Sequence, residues 1–182
     1  MRSTASFLLT AAIVTSGATA RAEWGTPKAP AIPQADGYVV IPGAAVTPEK
    51  TRVYRAVYDA TLKADKADQI LPALNMAGSE LNALEVAGVP AKNAKFVVVF
   101  HGAAIDGILD DTHYKAKFGV SNPNLAVLEA FARRGVRLYV CGQNLVLDHV
   151  DPKTLTPTVS VASDALIVLM TYQNDGYALL SF

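Results

Sequence analysis

The spacing of polar and apolar positions changes several times after residue 50. Residues 51–60, TRVYRAVYDA, read as a first strand. Ile70, Leu74, Ala77, Leu81 and Leu84 then recur at intervals of four and three, which puts one apolar stripe on a helix that Gly88 and Pro90 end. Residues 95–102, KFVVVFHG, are a continuous apolar run of the kind covered on both faces in a parallel sheet, and the run closes on His101. A second helix is expected to open at Asn122-Pro123-Asn124. Asn122 serves as its cap, and Pro123 suits the first turn, where its missing N–H has no partner to lose. Leu125, Leu128 and Ala132 form its buried stripe, Arg133 and Arg134 favour its C-terminal dipole end, and Gly135 terminates it.

Residues 136–141 read as the next strand, which ends on Cys141, and a short helical turn is expected over 144–148. After the Asp151-Pro152 and Thr156-Pro157 turns come a short strand in TVSVA and a helix capped by Ser163 that carries Leu166, Leu169 and Met170. Gly176 stops that helix, and YALLSF supplies a last strand. The alternation predicts an α/β fold, a three-layer αβα sandwich around a mainly parallel five-stranded sheet. Right-handed crossovers bring the C-terminal ends of such strands to one edge, where ligands of α/β proteins bind. His101 and Cys141 are expected there together.

Ahead of this domain the pattern differs. Residues 1–22 combine Arg2, a short apolar stretch and Ala20-Arg21-Ala22, which reads as a cleaved signal peptide and predicts export to the periplasm. The stretch is shorter than the roughly 20 apolar residues a membrane span needs. Residues 23–50 carry Pro27, Pro30, Pro33, Pro42 and Pro48 without helical periodicity, so an extended arm is expected. Within it GYVVIPGAAV can pair as an edge strand, and residues 26–34 suit a flexible leader. Residues 51–182 make one domain.

Charge narrows the partners. The chain has 16 basic and 16 acidic residues, and loss of Arg2 and Arg21 with the leader makes the mature chain slightly acidic. No basic field favours nucleic acid or, once the leader is gone, a membrane surface. The single cysteine cannot form a disulfide within its own chain. A thiol at a strand end, followed by a helix start, meets unpaired N–H groups that favour the thiolate. Gly142 lets the backbone approach closely and Gln143 offers both a donor and an acceptor. The plain alternative is a packed cysteine. A metal site from Cys141 with His101, His113 or His149 lacks any close ligand spacing, so neither metal nor cofactor is expected. Asp106, Asp110 and Asp111 read as solvated acids of a connection, while Tyr114, Lys115 and Lys117 suit a subunit contact. No GxGxxG, Walker or GxSxG sequence occurs.

VFHG, YKAKFGVSNPNLAVLEAF, RRGVRLYVCGQNL and GYALLSF together resemble the DsrE (DsrE/DsrF-like) family, in its exported branch, over about residues 53–180. CGQ after an apolar strand is the most specific of these stretches. The resemblance implies a DsrE-like αβα fold, homo-oligomeric assembly and a cysteine that carries sulfur as a persulfide, the position taken by Cys141. His101, Gly102, Asn124 and Gln143 match recurrent motif positions. The expected function is thus a periplasmic sulfur-binding or sulfur-transfer protein. Cys141 reacts, His101, Gly102, Asn124, Gly142 and Gln143 surround it, and the partners are polysulfide or sulfur donor and acceptor proteins. The alternative is a non-catalytic oligomeric module that binds a small ligand, with the cysteine lining its pocket.

Overall fold

A strand whose side chains are apolar on both faces must lie between two layers, and the KFVVVF run does so. The computed structural model describes residues 24–182, and the leader expected over 1–22 lies outside the described residues. Within it, β2 (Ala94–Phe100) is the middle strand of a five-stranded, all-parallel sheet, and its last five residues are buried. Beside it lie β1 (Tyr54–Ala60) and β3 (Arg137–Cys141), with β5 (Ala178–Ser181) beyond β1 and β4 (Ser160–Ala162) beyond β3. The helices are α1 (Pro72–Val86), α2 (Asp111–Phe118), α3 (Leu125–Arg133), α4 (Gly142–Leu147) and α5 (Ala165–Asn174). No helix among the described residues is long and apolar enough to cross a membrane.

Alternation along the strands divides the core in two. Tyr58, Phe96, Val98, Phe100, Leu138 and Val140 face the larger layer, where α1 and α3 pack. Val57, Val97, Val99 and Cys141 face the other way, under Ala165, Val168, Leu169 and Tyr172 of α5.

Several local expectations give way to competing interactions. Helix α3 opens at Leu125, with Asn124 as its N-cap, because the Asn122 side chain is buried and donates to the carbonyls of Gly107 and Leu109. Its buried face is Val127, Leu128, Ala130 and Phe131. Leu125 is half-buried and Ala132 exposed, since the bulkier Val127 and Phe131 gain more from burial. Helix α5 is capped by Asp164 rather than Ser163: its carboxylate accepts from the N–H groups of Leu166 and Ile167, and its charge meets the positive helix end. Leu169 is buried there as expected, whereas Leu166 and Met170 lie 60% and 52% exposed. Helix α4 starts at Gly142, two residues before the expected turn, and the supposed connection from Gly102 onward is a 3₁₀ stretch (Gly102–Ile108) followed by α2.

The expected flexible leader at 26–34 is docked. Lys28 and Tyr38 exchange two backbone hydrogen bonds, and Ile32 is fully buried against α1. Asn82 of α1 holds this segment with all of its side-chain capacity turned inward. Its Oδ1 accepts from the N–H groups of Ala31 (2.9 Å) and Ile32 (2.8 Å), and its Nδ2 donates to the carbonyls of Ile32 and Asp36. Gly78 permits the approach, since a Cβ there would collide with the Ala35 methyl. Asn82→Ala strands two buried N–H groups and should cost about 3 kcal/mol. Urea unfolding should show that loss, and limited proteolysis of the folded variant should show new cleavage between residues 26 and 36.

Candidate functional site

Three adjacent strands end with a polar or reactive side chain on the same face. Ladder pairs run Asp59 to Val99 between β1 and β2, and Phe100 to Val140 between β2 and β3. His101 continues β2 in extended conformation, and its N–H donates to the Ala60 carbonyl, so it stays in register one step past Phe100, beside Cys141. By strand alternation Asp59, His101 and Cys141 share the α5 face, with His101 in the middle. Neighbouring strands stand roughly 4.8 Å apart. The strand ends predicted from the sequence therefore do bring His101 and Cys141 together.

The histidine is oriented from the side away from the thiol. His101 Nε2 lies 2.5 Å from Asp59 Oδ1, and Ser181 Oγ, on β5, lies 3.5 Å from the other carboxylate oxygen. Both members of the pair are mostly shielded from water, which strengthens their attraction. An Asp–His pair of this kind fixes the ring and leaves Nδ1 as the free nitrogen. Asp59 and Ser181 were absent from the residues marked by motif and resemblance. The one available signal for Asp59 was an acid near the C-terminal end of a strand.

Cys141 is free and only 4% exposed. It is the N-cap residue of α4 but makes no side-chain capping bond, and its side chain belongs to the cluster with Val99 and Ala165. An open groove of about 530 Å³ is walled by Gly142, Gln143, Val146, Val161 and Ser163, and Cys141 is not part of its lining. Gly142 is explained by contact: a Cβ would stand 2.7 Å from the Ala162 carbonyl oxygen. Gln143 donates to the Ser163 carbonyl at 3.3 Å and so braces the β4 end instead of the sulfur. Gly102 takes a left-handed φ of 57°, and its N–H points to Asn144 Oδ1 at 3.4 Å, which ties the β2 end to α4.

Asn124 does not belong to this site. It is 1% exposed, its Oδ1 accepts from the Leu71 N–H and its Nδ2 donates to Asn122 Oδ1, so it fastens the start of α1 to the start of α3. The acids of the connection also have structural partners: Asp106 pairs with Lys117, Asp111 accepts from the Asn122 N–H, and Asp110 caps α2. The His113 backbone N–H, and then its ring, hold the Asp110 carboxyl below its ordinary value. Tyr114 is buried, with its hydroxyl donating to the Ala67 carbonyl, and so is not the surface contact expected of it. Among the described residues no three His, Cys, Asp or Glu side chains converge as metal ligands.

The model of the DsrE/DsrF-like family matches residues 56–182, which takes in every strand and helix described above except the first two residues of β1. The chain belongs to the DsrE/DsrF-like family. Among solved structures, this DsrE/DsrF-like chain is similar to a protein of unknown function from Methanobacterium thermoautotrophicum. The two are 18% identical with a TM-score of 0.52, and the match covers 71% of this chain and 99% of the other. That likeness is one of fold. No curated protein matches the chain.

Two substitutions separate framework from site. Asn124→Ala should lower stability by about 2 kcal/mol in chemical denaturation, because it leaves the buried Leu71 N–H unpaired. It should not alter the iodoacetamide labelling rate of the folded protein. Gly142→Ala should destabilise by roughly 1–3 kcal/mol through overpacking against the backbone of β4, and it should also change that labelling rate.

Proposed function

We propose that this DsrE/DsrF-like protein is a sulfur carrier in which Cys141 holds a sulfur atom as a persulfide and the Asp59–His101 pair handles the proton. The single supporting observation is the order Asp59, His101, Cys141 across β1, β2 and β3 on one face of the sheet. His101 accepts the thiol proton, and the Cys141 thiolate attacks the outer sulfur of a polysulfide or donor persulfide. One S–S bond forms as another breaks, and the leaving thiolate takes up the proton, so no external oxidant is needed. A positioned acid–base group of this type contributes about a hundredfold or more in rate. Because Cys141 is 4% exposed and packs in one cluster with Ala162 and the α5 residues Ala165, Val168 and Leu169, loading requires part of that cover to move aside.

The leader-like pattern of residues 1–22 supports a periplasmic setting, where the donor and acceptor differ from those of a cytoplasmic relay. The outward apolar side chains Leu166, Ile167 and Met170 of α5 support self-association into a homo-oligomer. Burial of the thiol favours a second reading, a non-catalytic small-ligand module in which Cys141 is only packing.

Intact-mass spectrometry after polysulfide treatment should show one reversible sulfur addition on the reduced protein and none on Cys141→Ser. Loading of His101→Gln should slow by about a hundredfold, and Asp59→Asn should slow it less. If the wild type takes up sulfur only when denatured, or if both variants load at the native rate, the carrier reading fails and the packing reading replaces it.

A further inference from the structure

Near their N-terminal ends three neighbouring strands carry cations on one face of the sheet. Arg55 of β1 and Lys95 of β2 are ladder partners, and Arg137 of β3 pairs with Val97, two residues further along β2. Val57 and Val97 lie in the α5 layer, so by alternation Arg55 and Lys95 leave their strands on that face. Arg137 does so too, since it bonds to Tyr172 of α5. All three are exposed. None joins an ion pair among the described residues, and neither does Asp175, the acid that follows α5. Like charges directly opposite on neighbouring strands destabilise a sheet. The Arg55–Lys95 pair therefore leaves a demand for negative charge that no ion pair of the described residues meets.

Tyrosines hold the end of this patch in place. Arg137 Nη1 donates to the Tyr172 hydroxyl at 2.9 Å, and no other hydrogen bond of the described residues uses the Arg137 side chain. One corner of the guanidinium is thus fixed while its other N–H groups stay available. Tyr139 and Tyr172 share one hydrogen bond of 3.2 Å between their hydroxyls. Each phenol carries one hydrogen, so one of the two is spent and the other has no acceptor among the described residues. Tyr172 is buried and packs edge-on against Tyr177, with 4.9 Å between ring centroids, which limits its movement. An anchored guanidinium beside a spare phenol hydrogen is a donor set for an oxyanion.

Spacing decides which oxyanion. Strands about 4.8 Å apart spread the three cations over roughly 10 Å, too far for one small tetrahedral anion to meet them all. Arg137 and Lys95 stand diagonally across the ladder, about 8 Å apart by strand spacing and rise. Alternate side chains of an extended segment repeat every 6.6 Å or so, which the reach of the two long cationic side chains makes up.

We propose that this patch docks an acidic, extended segment of a partner protein. One carboxylate takes a two-point bond from Arg137, a second on an alternate residue meets Lys95, and Arg55 adds its charge at the side. The patch shares its face of the sheet with Cys141, about 13 Å away along β3. Docking itself makes no use of the thiol, so it stands or falls apart from the carrier reading.

The test is fluorescence anisotropy of a labelled peptide of alternating glutamate and serine, titrated with the protein at about 10 mM ionic strength. A glutamine–serine peptide is the neutral control. With 16 basic and 16 acidic residues the chain as a whole does not attract an anion, so binding reports the local patch. The glutamate peptide should bind roughly tenfold more tightly than the control, as expected of three exposed ion pairs. Arg137→Gln should weaken it about fivefold and Lys95→Gln about threefold. The Arg55→Gln, Lys95→Gln, Arg137→Gln triple variant should lose the preference for glutamate, with circular-dichroism melts showing it folded, while Cys141→Ser binds as the wild type does. Equal binding of the two peptides, or undiminished binding by the folded triple variant, would overturn the proposal. Displacement of the peptide by sulfate beyond that caused by chloride at equal ionic strength would also overturn it and make the patch a site for a free oxyanion.

Discussion

The pairing of β2 with β1 on one side and β3 on the other is the interaction on which the rest of the structure depends. Phe96 to Phe100 are buried on both faces, so neither face of the sheet can be left to solvent and a layer of helices is required on each. Because every pair is parallel, each connection must cross back over the sheet, and all strands finish at one edge. The ladder registers then bring Asp59, His101 and Cys141 to neighbouring places there. A slip of one residue in either ladder would send one of them to the opposite face, into the layer of α1 and α3.

The two layers differ in thickness. On one face α1, α3 and the docked arm enclose a large aromatic core. On the other face α5 alone covers the valines and Cys141, and it leaves apolar side chains pointing outward. Close backbone packing at Gly142 keeps that cover tight.

Polar side chains hold the framework at points where secondary structure alone would leave backbone groups unmet. Asn82 satisfies the arm, while Asn122 and Asn124 link the loop before α2 with the starts of α1 and α3. All three are buried, and each makes bonds that a small apolar residue cannot supply. Asparagine serves here because one side chain both donates and accepts. Such residues look like site residues in a sequence, since both roles call for a polar group in an apolar setting.

Periodicity by itself determined the α/β class, the five strands, the burial of β2 on both faces and the placing of His101 and Cys141 at strand ends, because burial on two faces and right-handed crossovers leave few other arrangements. The tertiary structure decided what depends on contacts between distant segments. Asp59 gained its role only through β1 pairing with β2, Asn124 lost its expected role to the Leu71 N–H, and Asp164 displaced Ser163 as cap because a carboxylate one residue later reached two N–H groups. The proline-rich arm gave no periodic signal, yet Ile32 is buried because Gly78 and Asn82 on α1 form its seat, and neither residue marks that seat in sequence. Local spacing fixes which face of an element is apolar. Which partner covers that face, and which buried polar group it must satisfy, follows only when segments far apart in the chain meet.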